Sequence, residues 1–196
     1  MNDLCAGPTG SDAIRGRILA WLAEGAREVS WALCSLPRER WTMTPPARLG
    51  EWPALRHVRH LVLSARHITL PRVEYALTGE KRDPVSTVAL EQADAAWDSD
   101  VASDTADELL ADLAGVRFEL LQRLEVAPDD VWESLSPARL DAQPRLTELL
   151  LRMRQHEFDH LASLWRMALY WDRVSPSTAE AVGLLLHPAD RLEESH

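Results

Sequence analysis

The sequence predicts an all-α protein, a four-helix bundle with a short helix at its C-terminal end. Apolar residues recur at spacings of three and four along four long stretches, as in helices that bury one face. No segment alternates apolar and polar residues for the length of a strand. Polar segments containing prolines separate the apolar stretches. We therefore expect a bundle domain over residues 1–173, followed by a short helix and tail over residues 174–196.

Capping residues and prolines predict where the four long helices begin and end. These helices are predicted at residues 12–36, 53–79, 105–125 and 146–171. Ser11 can cap the first helix, Pro37 lies just past its end, and Gly79 suits the end of the second helix. Pro71 lies inside the second helix and has no N–H group to donate, so we expect a kink or a break there.

The segments that connect the helices carry fewer signals, and we expect them to determine the substrate. They are residues 37–52, 80–103 and 126–144. The first is rich in proline and should form an ordered, non-helical connection. A short helix is predicted over residues 88–97, and a capping-box spacing from Ser177 to Glu180 predicts the start of the C-terminal helix.

Composition argues against several classes of partner. The 196 residues carry a net charge of −10, which disfavours nucleic acid because a phosphate-binding face needs clustered basic residues. No apolar run is long enough to span a membrane, and the first residues do not resemble a signal peptide, so we expect a cytoplasmic protein without a membrane partner. Cys5 and Cys34 lack CxxC spacing and do not indicate a disulfide framework.

Two histidines on the fourth helix are the strongest chemical signal. His156 and His160 lie four residues apart, at or beside the apolar arc of that helix. Their Cβ atoms are neighbours on successive turns, so the two imidazoles can bind one metal ion together. The alternative is that both are core histidines, hydrogen-bonded to backbone or carboxylate groups.

A third protein ligand for such an ion is expected from the second helix, which carries His57, His60 and His67. His60 and His67 share a stripe but are about 10 Å apart along the helix axis, so one site can use only one of them. A helical wheel also places His60 opposite the apolar line that runs from Leu55 to Ala65.

Two motifs in this order resemble those of the DinB-like superfamily of four-helix bundles. Trp52 opens the second helix, and His60 followed by Leu61 comes eight residues later. The last helix begins with an L-T-x-x-L-L run, Leu146 to Leu151, and continues to the H-E-x-x-H motif of His156 to His160. The resemblance covers roughly residues 12–172.

This resemblance implies a topology, a metal site and a range of activities. The expected order of helix directions is up-down-down-up, and family members typically hold a divalent metal such as zinc, nickel or iron on three histidines. Position by position, the ligands here are His60, His156 and His160. Some members are transferases or isomerases that use low-molecular-weight thiols, and the resemblance is compatible with a homodimer formed through two helices. This chain has Asp159 and Ser163 where many members have a histidine and, shortly after, a glutamine.

The functional hypothesis is a metal-dependent enzyme acting on a small-molecule substrate. Its three-histidine site would activate a low-molecular-weight thiol, as in an S-transferase, or water, as in a hydrolase. Glu157 is the candidate catalytic residue, as a base or by orienting a ligand, although a glutamate in this position can instead pair with an arginine.

Two alternatives remain at this point. The first is a metal-free bundle that acts as a binding or structural homodimer, for which Trp31, Trp97 and Trp132 are candidate interface residues. The second is a zinc protease, because HEFDH fits the H-E-x-x-H pattern and Glu180 could supply a third ligand. Glu180 is also the third residue of the predicted capping box, and protease clefts usually border an edge strand, which this sequence does not predict.

Overall fold

The computed structural model describes residues 11–50, 52–79, 88, 90, 92, 106–133 and 146–174. No β-strand occurs within these residues, and nearly all of them are helical. The all-α prediction is therefore confirmed for the described chain. The predicted helix over residues 88–97 lies mostly outside the described residues. The predicted C-terminal helix, with Glu180, lies wholly outside them.

Six α-helices and one π-helical turn make up the described structure. In chain order they are α1 (Ser11–Cys34), α2 (Ala54–Ser64), a π-helical turn (Ala65–Thr69), α3 (Leu70–Thr78), α4 (Ala106–Glu125), α5 (Asp129–Glu133) and α6 (Leu146–Val174). Short 3-10 turns at Arg38–Arg40 and Ala47–Leu49 lie in the connection between α1 and α2. The long helices of the bundle are α1, the continuous segment from α2 to α3, α4 and α6.

The second long helix passes Pro71 through a wider turn instead of breaking. Pro71 cannot donate a hydrogen bond to the carbonyl of His67, and the π-helical turn at Ala65–Thr69 immediately precedes it. Such a turn changes the hydrogen-bond register while the chain stays helical. The segment ends at Gly79, whose φ of 73° is left-handed and whose N–H donates to the Tyr75 carbonyl at 2.9 Å.

Pairs of contacting side chains give the direction of α4 relative to the second helix. Arg66 pairs with Asp112, and Glu74, further along, pairs with Arg123. The residue that comes later in the α2–α3 segment thus pairs with the residue that comes later in α4, so the two helical segments run parallel. The long connection between them is consistent with this arrangement, because parallel neighbours cannot be joined by a tight turn.

The first and last helices also run parallel to each other. Gly25 of α1 packs against the Glu157 side chain of α6, and Trp31 packs edge-on against Trp165 with ring centroids 4.9 Å apart. The contacts between α2 and α6 run in the opposite order, as the histidine pairs described below show. The directions are therefore up, down, down and up, as the resemblance implied.

Apolar side chains from all four long helices fill the centre of the bundle. The largest fully buried ones are Leu33, Leu113, Leu120, Leu124, Leu164 and Met167. Burying each contributes about 1.5–3 kcal/mol. None of the helices in the described part of the chain is long and apolar enough to cross a membrane.

Trp41 fixes the connection that leads into α2. Its indole Nε1 donates to the carbonyls of Leu33 and Leu36 at the end of α1, at 3.0 and 3.2 Å. The Trp41 carbonyl in turn accepts a hydrogen bond from the Leu55 N–H at 2.9 Å. The first turn of α2 is therefore tied to the end of α1, which positions the histidines that follow.

Candidate metal centre

Three imidazoles converge between α2 and α6. The Nε2 atom of His156 lies 3.0 Å from the Nε2 atom of His60 and 3.0 Å from that of His160. All three ligand atoms lie within 4.8 Å of one another. His60 comes from α2, and the other two occupy successive turns of α6. The structure thus brings together the three histidines that the resemblance implied.

The separations of these nitrogens suit a shared cation. A neutral imidazole has one N–H, which can point along its axis at one acceptor only. His156 Nε2 has two ring nitrogens at 3.0 Å, and its single N–H or single lone pair can point straight at only one of them. Two nitrogens about 2.1 Å from one ion, at an angle of about 90°, lie about 3.0 Å apart. Two of the three separations therefore match the spacing of ligands on one divalent ion, and three neutral imidazole nitrogens are a donor set that such an ion accepts.

A fourth histidine contacts the group from outside. The Nδ1 atom of His57 lies 2.7 Å from the Nδ1 atom of His160. If His160 offers the lone pair of Nε2 to an ion, its proton is on Nδ1, and that N–H donates to His57 Nδ1. This hydrogen bond orients the His160 ring. His57 itself is buried and is not one of the three converging ligands.

Burial keeps two of these imidazoles neutral. Desolvation, followed by the nearby charge of His60 and of two arginines, lowers the pKa of His57 to about 4. Desolvation, followed by the charges of His156, His57 and His60, lowers the pKa of His160 to about 2. Neutral imidazole is the form that binds metal ions, so at neutral pH neither ring has to lose a proton first.

Trp52 covers the histidine group at the start of α2. Its ring centroid lies 5.4 Å from that of His57, 5.2 Å from that of His60 and 5.9 Å from that of His160. The Arg56 guanidinium lies 4.3 Å from the centroid of the Trp52 ring, within the range of a cation–π contact. The indole thus limits water access to one side of the group.

Glu157 lies beside the histidine group in sequence, but its carboxylate is bonded to arginines and not to the histidines. Its side chain is 1% exposed, and one carboxylate oxygen accepts from Arg117 at 3.1 Å while the other accepts from Arg154 at 3.0 Å. Arg154 also pairs with Glu28 of α1 at 2.6 Å. The sequence left open whether Glu157 serves as a base or pairs with an arginine, and the structure shows the arginine pairing.

Gly25 makes room for that buried carboxylate. A Cβ atom built on Gly25 would lie 2.6 Å from Oε1 and 3.0 Å from Oε2 of Glu157. Separations this short are not tolerated, so any larger residue at this position would displace the carboxylate or the helix. The close approach of α1 to α6 therefore depends on a residue without a side chain.

Of the three histidines on the second helical segment, only His60 belongs to the converging group. His60 reaches the group because α2 packs against both α4 and α6, so the edge of α2 opposite its apolar line faces α6. His67, one stripe position further along, does not belong to the group. His57 was not predicted as part of the site, and its only sequence signal was its spacing of one turn from His60.

Comparison with known proteins gives one match. The family model of the DinB superfamily matches residues 22–164. Neither the search of curated proteins nor the search of solved structures gives a match. The matched region includes α2, the three converging histidines and nearly all of the bundle core. The chain belongs to the DinB superfamily.

Proposed function

We propose that the protein is a metal-dependent enzyme that holds a divalent ion on His60, His156 and His160. The observation that carries this proposal is the convergence of three Nε2 atoms between two helices. A bound zinc, nickel or iron ion would supply Lewis acidity, which lowers the pKa of a low-molecular-weight thiol or of water. The proposed activity is accordingly a thiol S-transferase type reaction or a hydrolysis of a small-molecule substrate.

Residues around the group have supporting roles in this proposal. His57 holds the His160 ring in one tautomer and one orientation through the bond between their Nδ1 atoms. Trp52 excludes water from one side of the group. Glu157 takes part in no chemical step, because both of its oxygens are bonded to arginines.

The zinc protease alternative receives little support from this geometry. In that mechanism the glutamate of H-E-x-x-H is a base beside the metal. Here the Glu157 carboxylate is buried and paired with Arg117 and Arg154. The other predicted protease ligand, Glu180, lies outside the described residues, and no strand is described that could border a peptide cleft.

Metal analysis of purified variants tests the proposal. We expect wild-type protein to bind about one equivalent of Zn²⁺, Ni²⁺ or Fe²⁺, and His60→Ala, His156→Ala and His160→Ala each to lose stoichiometric binding. His67→Ala is the matched control, since His67 is on the same helical segment but outside the group. A wild type that takes up none of these ions, or a His67→Ala variant that loses metal, would contradict the proposal.

Substrate panels separate the two reaction types. Metal-loaded protein would be assayed with low-molecular-weight thiols and electrophiles in one panel, and with esters and amides in the other. Turnover in the first panel that requires both thiol and metal identifies a transferase. Turnover in the second that requires only metal identifies a hydrolase. Activity unchanged by His156→Ala in either panel would exclude a role for the histidine group.

The homodimer remains a prediction. Of its candidate interface residues, Trp132 is buried in the core, so its assignment to an interface is wrong, and Trp97 lies outside the described residues. Trp31 is 68% exposed and Leu169 is 59% exposed, and Trp31 packs against Trp165 on neighbouring α6. These residues favour an apolar contact surface along α1 and α6. Light scattering of the purified protein measures the mass directly, and a monomer at all concentrations would rule this alternative out.

A further inference from the structure

A cavity of about 280 Å³ lies beside the three-histidine group. His60 and His156 form part of its wall, and the rest comes from the α2–α3 segment, from α6 and from Leu90. Small-molecule sites span about 300–1,000 Å³, so this cavity suits a ligand near the lower end of that range. A ligand held here would therefore share the cavity with the side chains of His60 and His156.

The wall of the cavity has one apolar region and a few polar groups. The apolar side chains are Ile68, Leu90, Leu149 and Met153. Ser64 and Thr69 supply hydroxyl groups, and Arg72 and Arg152 supply positive charge. None of the described residues that line the cavity is acidic. Among its described lining residues, the cavity therefore combines an apolar surface with two arginines and no acidic side chain.

The two arginines differ in what they already bind. Arg152 is exposed and forms an ion pair with Glu148, one turn earlier on α6. Arg72 is half-buried, and within the described part of the chain it forms no hydrogen bond or ion pair. A partly desolvated guanidinium without a carboxylate partner favours an anion at its five donors. Arg72 is thus the stronger candidate for binding one.

Within the described residues, the histidine group itself contains no negative charge. Its three imidazoles are neutral ligands, and no carboxylate belongs to the group. The positive charges of Arg56 and Arg166 act on His57 at the other side of the group. A divalent ion on these three neutral ligands would add two further positive charges. Several arginines therefore lie close to the three neutral imidazoles, although the net charge of the chain is −10.

Another cavity of similar size does not share these features. It measures about 290 Å³ and is lined by residues that include Glu74, Leu77 and Arg123. Arg123 is paired with Glu74 and with Glu119, so its charge is already compensated. No histidine lies among the described residues that line it. Of the two cavities compared, only the one lined by His60, Arg72 and His156 therefore combines metal-binding histidines with an arginine that has no ion-pair partner among the described residues. We call it the histidine-side cavity.

We propose that the histidine-side cavity binds a small organic carboxylate, with the carboxylate on Arg72 and the apolar part of the ligand against Ile68 and Met153. Arg72 presents a planar fork of N–H groups that matches a carboxylate. This arrangement places the remaining end of the ligand beside His60 and His156. The inference deepens the proposed function by naming the substrate class, and it rests on that function only for the chemistry that follows binding.

Calorimetric titration with a charged ligand and its neutral isostere tests this inference. The probes are phenylacetate and phenylacetamide, titrated into metal-loaded and metal-free protein. We expect wild-type protein to bind phenylacetate about tenfold or more tightly than phenylacetamide. Arg72→Gln should weaken phenylacetate binding about tenfold or more and leave phenylacetamide binding unchanged, while Arg72→Lys should restore part of the preference.

Arg66→Gln is the matched control. Arg66 precedes Arg72 on the same helical segment, is exposed and pairs with Asp112, so its loss should not change the preference. The inference is overturned if wild-type protein binds both probes equally or neither, or if the preference persists in Arg72→Gln. If the preference persisted in Arg72→Gln only when metal is bound, the metal, and not Arg72, would bind the carboxylate.

The same samples separate this inference from the proposed function. Metal content is measured on each preparation before titration. An Arg72-dependent preference in protein that takes up no metal would support the carboxylate site and overturn the metalloenzyme proposal. Stoichiometric metal binding without an Arg72-dependent preference would support the metalloenzyme proposal and overturn the carboxylate site.

Discussion

Glu157→Met should destabilise the protein by about 3–5 kcal/mol, because it leaves a buried arginine without its carboxylate. Arg117 is 2% exposed, and within the described residues its partners are Glu157 and the Met153 sulfur at 2.8 Å. Its Nε atom is buried without a partner. Arg154 is affected less, since it keeps its ion pair with Glu28. The loss is a large part of a typical stability of about 5–15 kcal/mol.

A double variant separates the ion pair from the space that Glu157 occupies. Arg117→Met combined with Glu157→Met removes both charges and keeps long, unbranched side chains with similar helix propensity. Replacing a buried pair by apolar residues is often neutral, so we expect the double variant to recover most of the loss. The coupling between the two substitutions should therefore be about 2 kcal/mol or more.

Urea unfolding at about pH 7.5 in the presence of a chelator measures these free energies, since bound metal would otherwise add to them. Equal losses in the single and double variants would show that the ion pair is not the cause. A Glu157→Met variant with unchanged stability and metal content but no activity would contradict the structural role and support the catalytic one. The two roles of Glu157 are thus distinguished by stability and activity together.

Three further expectations concern the histidine group. His57→Phe should weaken metal binding about 10–100-fold without abolishing it, since it removes the acceptor for His160 Nδ1; competition with a chelator measures the change. In metal-free wild type, His57 and His160 should each contribute about 2 kcal/mol to a loss of unfolding free energy between pH 7.5 and pH 5, because burial lowers their pKa values to about 4 and about 2 and the unfolded chain takes up both protons first. Urea titrations measure that loss, and His57→Phe should remove about half of it. Metal at about 100 times its dissociation constant should raise the unfolding free energy by about 2.7 kcal/mol in wild type and not in His160→Ala.

The helices themselves were predictable because their signals are local. Apolar periodicity placed α1, α4 and α6 to within a few residues, and Gly79 ended the second helical segment as expected. The outcome at Pro71 was less certain from sequence, since a missing N–H can lead to a break, a kink or a π-helical turn. Packing of the segment against both α4 and α6 favours continuing the helix.

The site was predictable only in part because it depends on contacts between helices. The spacing of His156 and His160 identifies a metal-binding pair, but the choice of His60 over His67 came from the resemblance and not from geometry. The partners of Glu157 include Arg117, 40 residues earlier in the chain, and no local pattern indicates that pairing. A glutamate so near the apolar centre of α6 was nevertheless a signal, because a buried carboxylate requires a partner.

The antiparallel register of α2 and α6 explains why three histidines converge and the fourth does not. His57 lies opposite His160, and His60 lies opposite His156, so the four rings form two cross-helix pairs stacked along the bundle. The His156 and His160 Nε2 atoms meet on the side of His60, which leaves only the Nδ1 atom of His160 for His57. His160 therefore contributes to both pairs, as a ligand through one nitrogen and as a donor through the other. It follows that His160→Ala should cost more metal affinity than His57→Phe, and an equal or reversed order would show that His57 is itself a ligand.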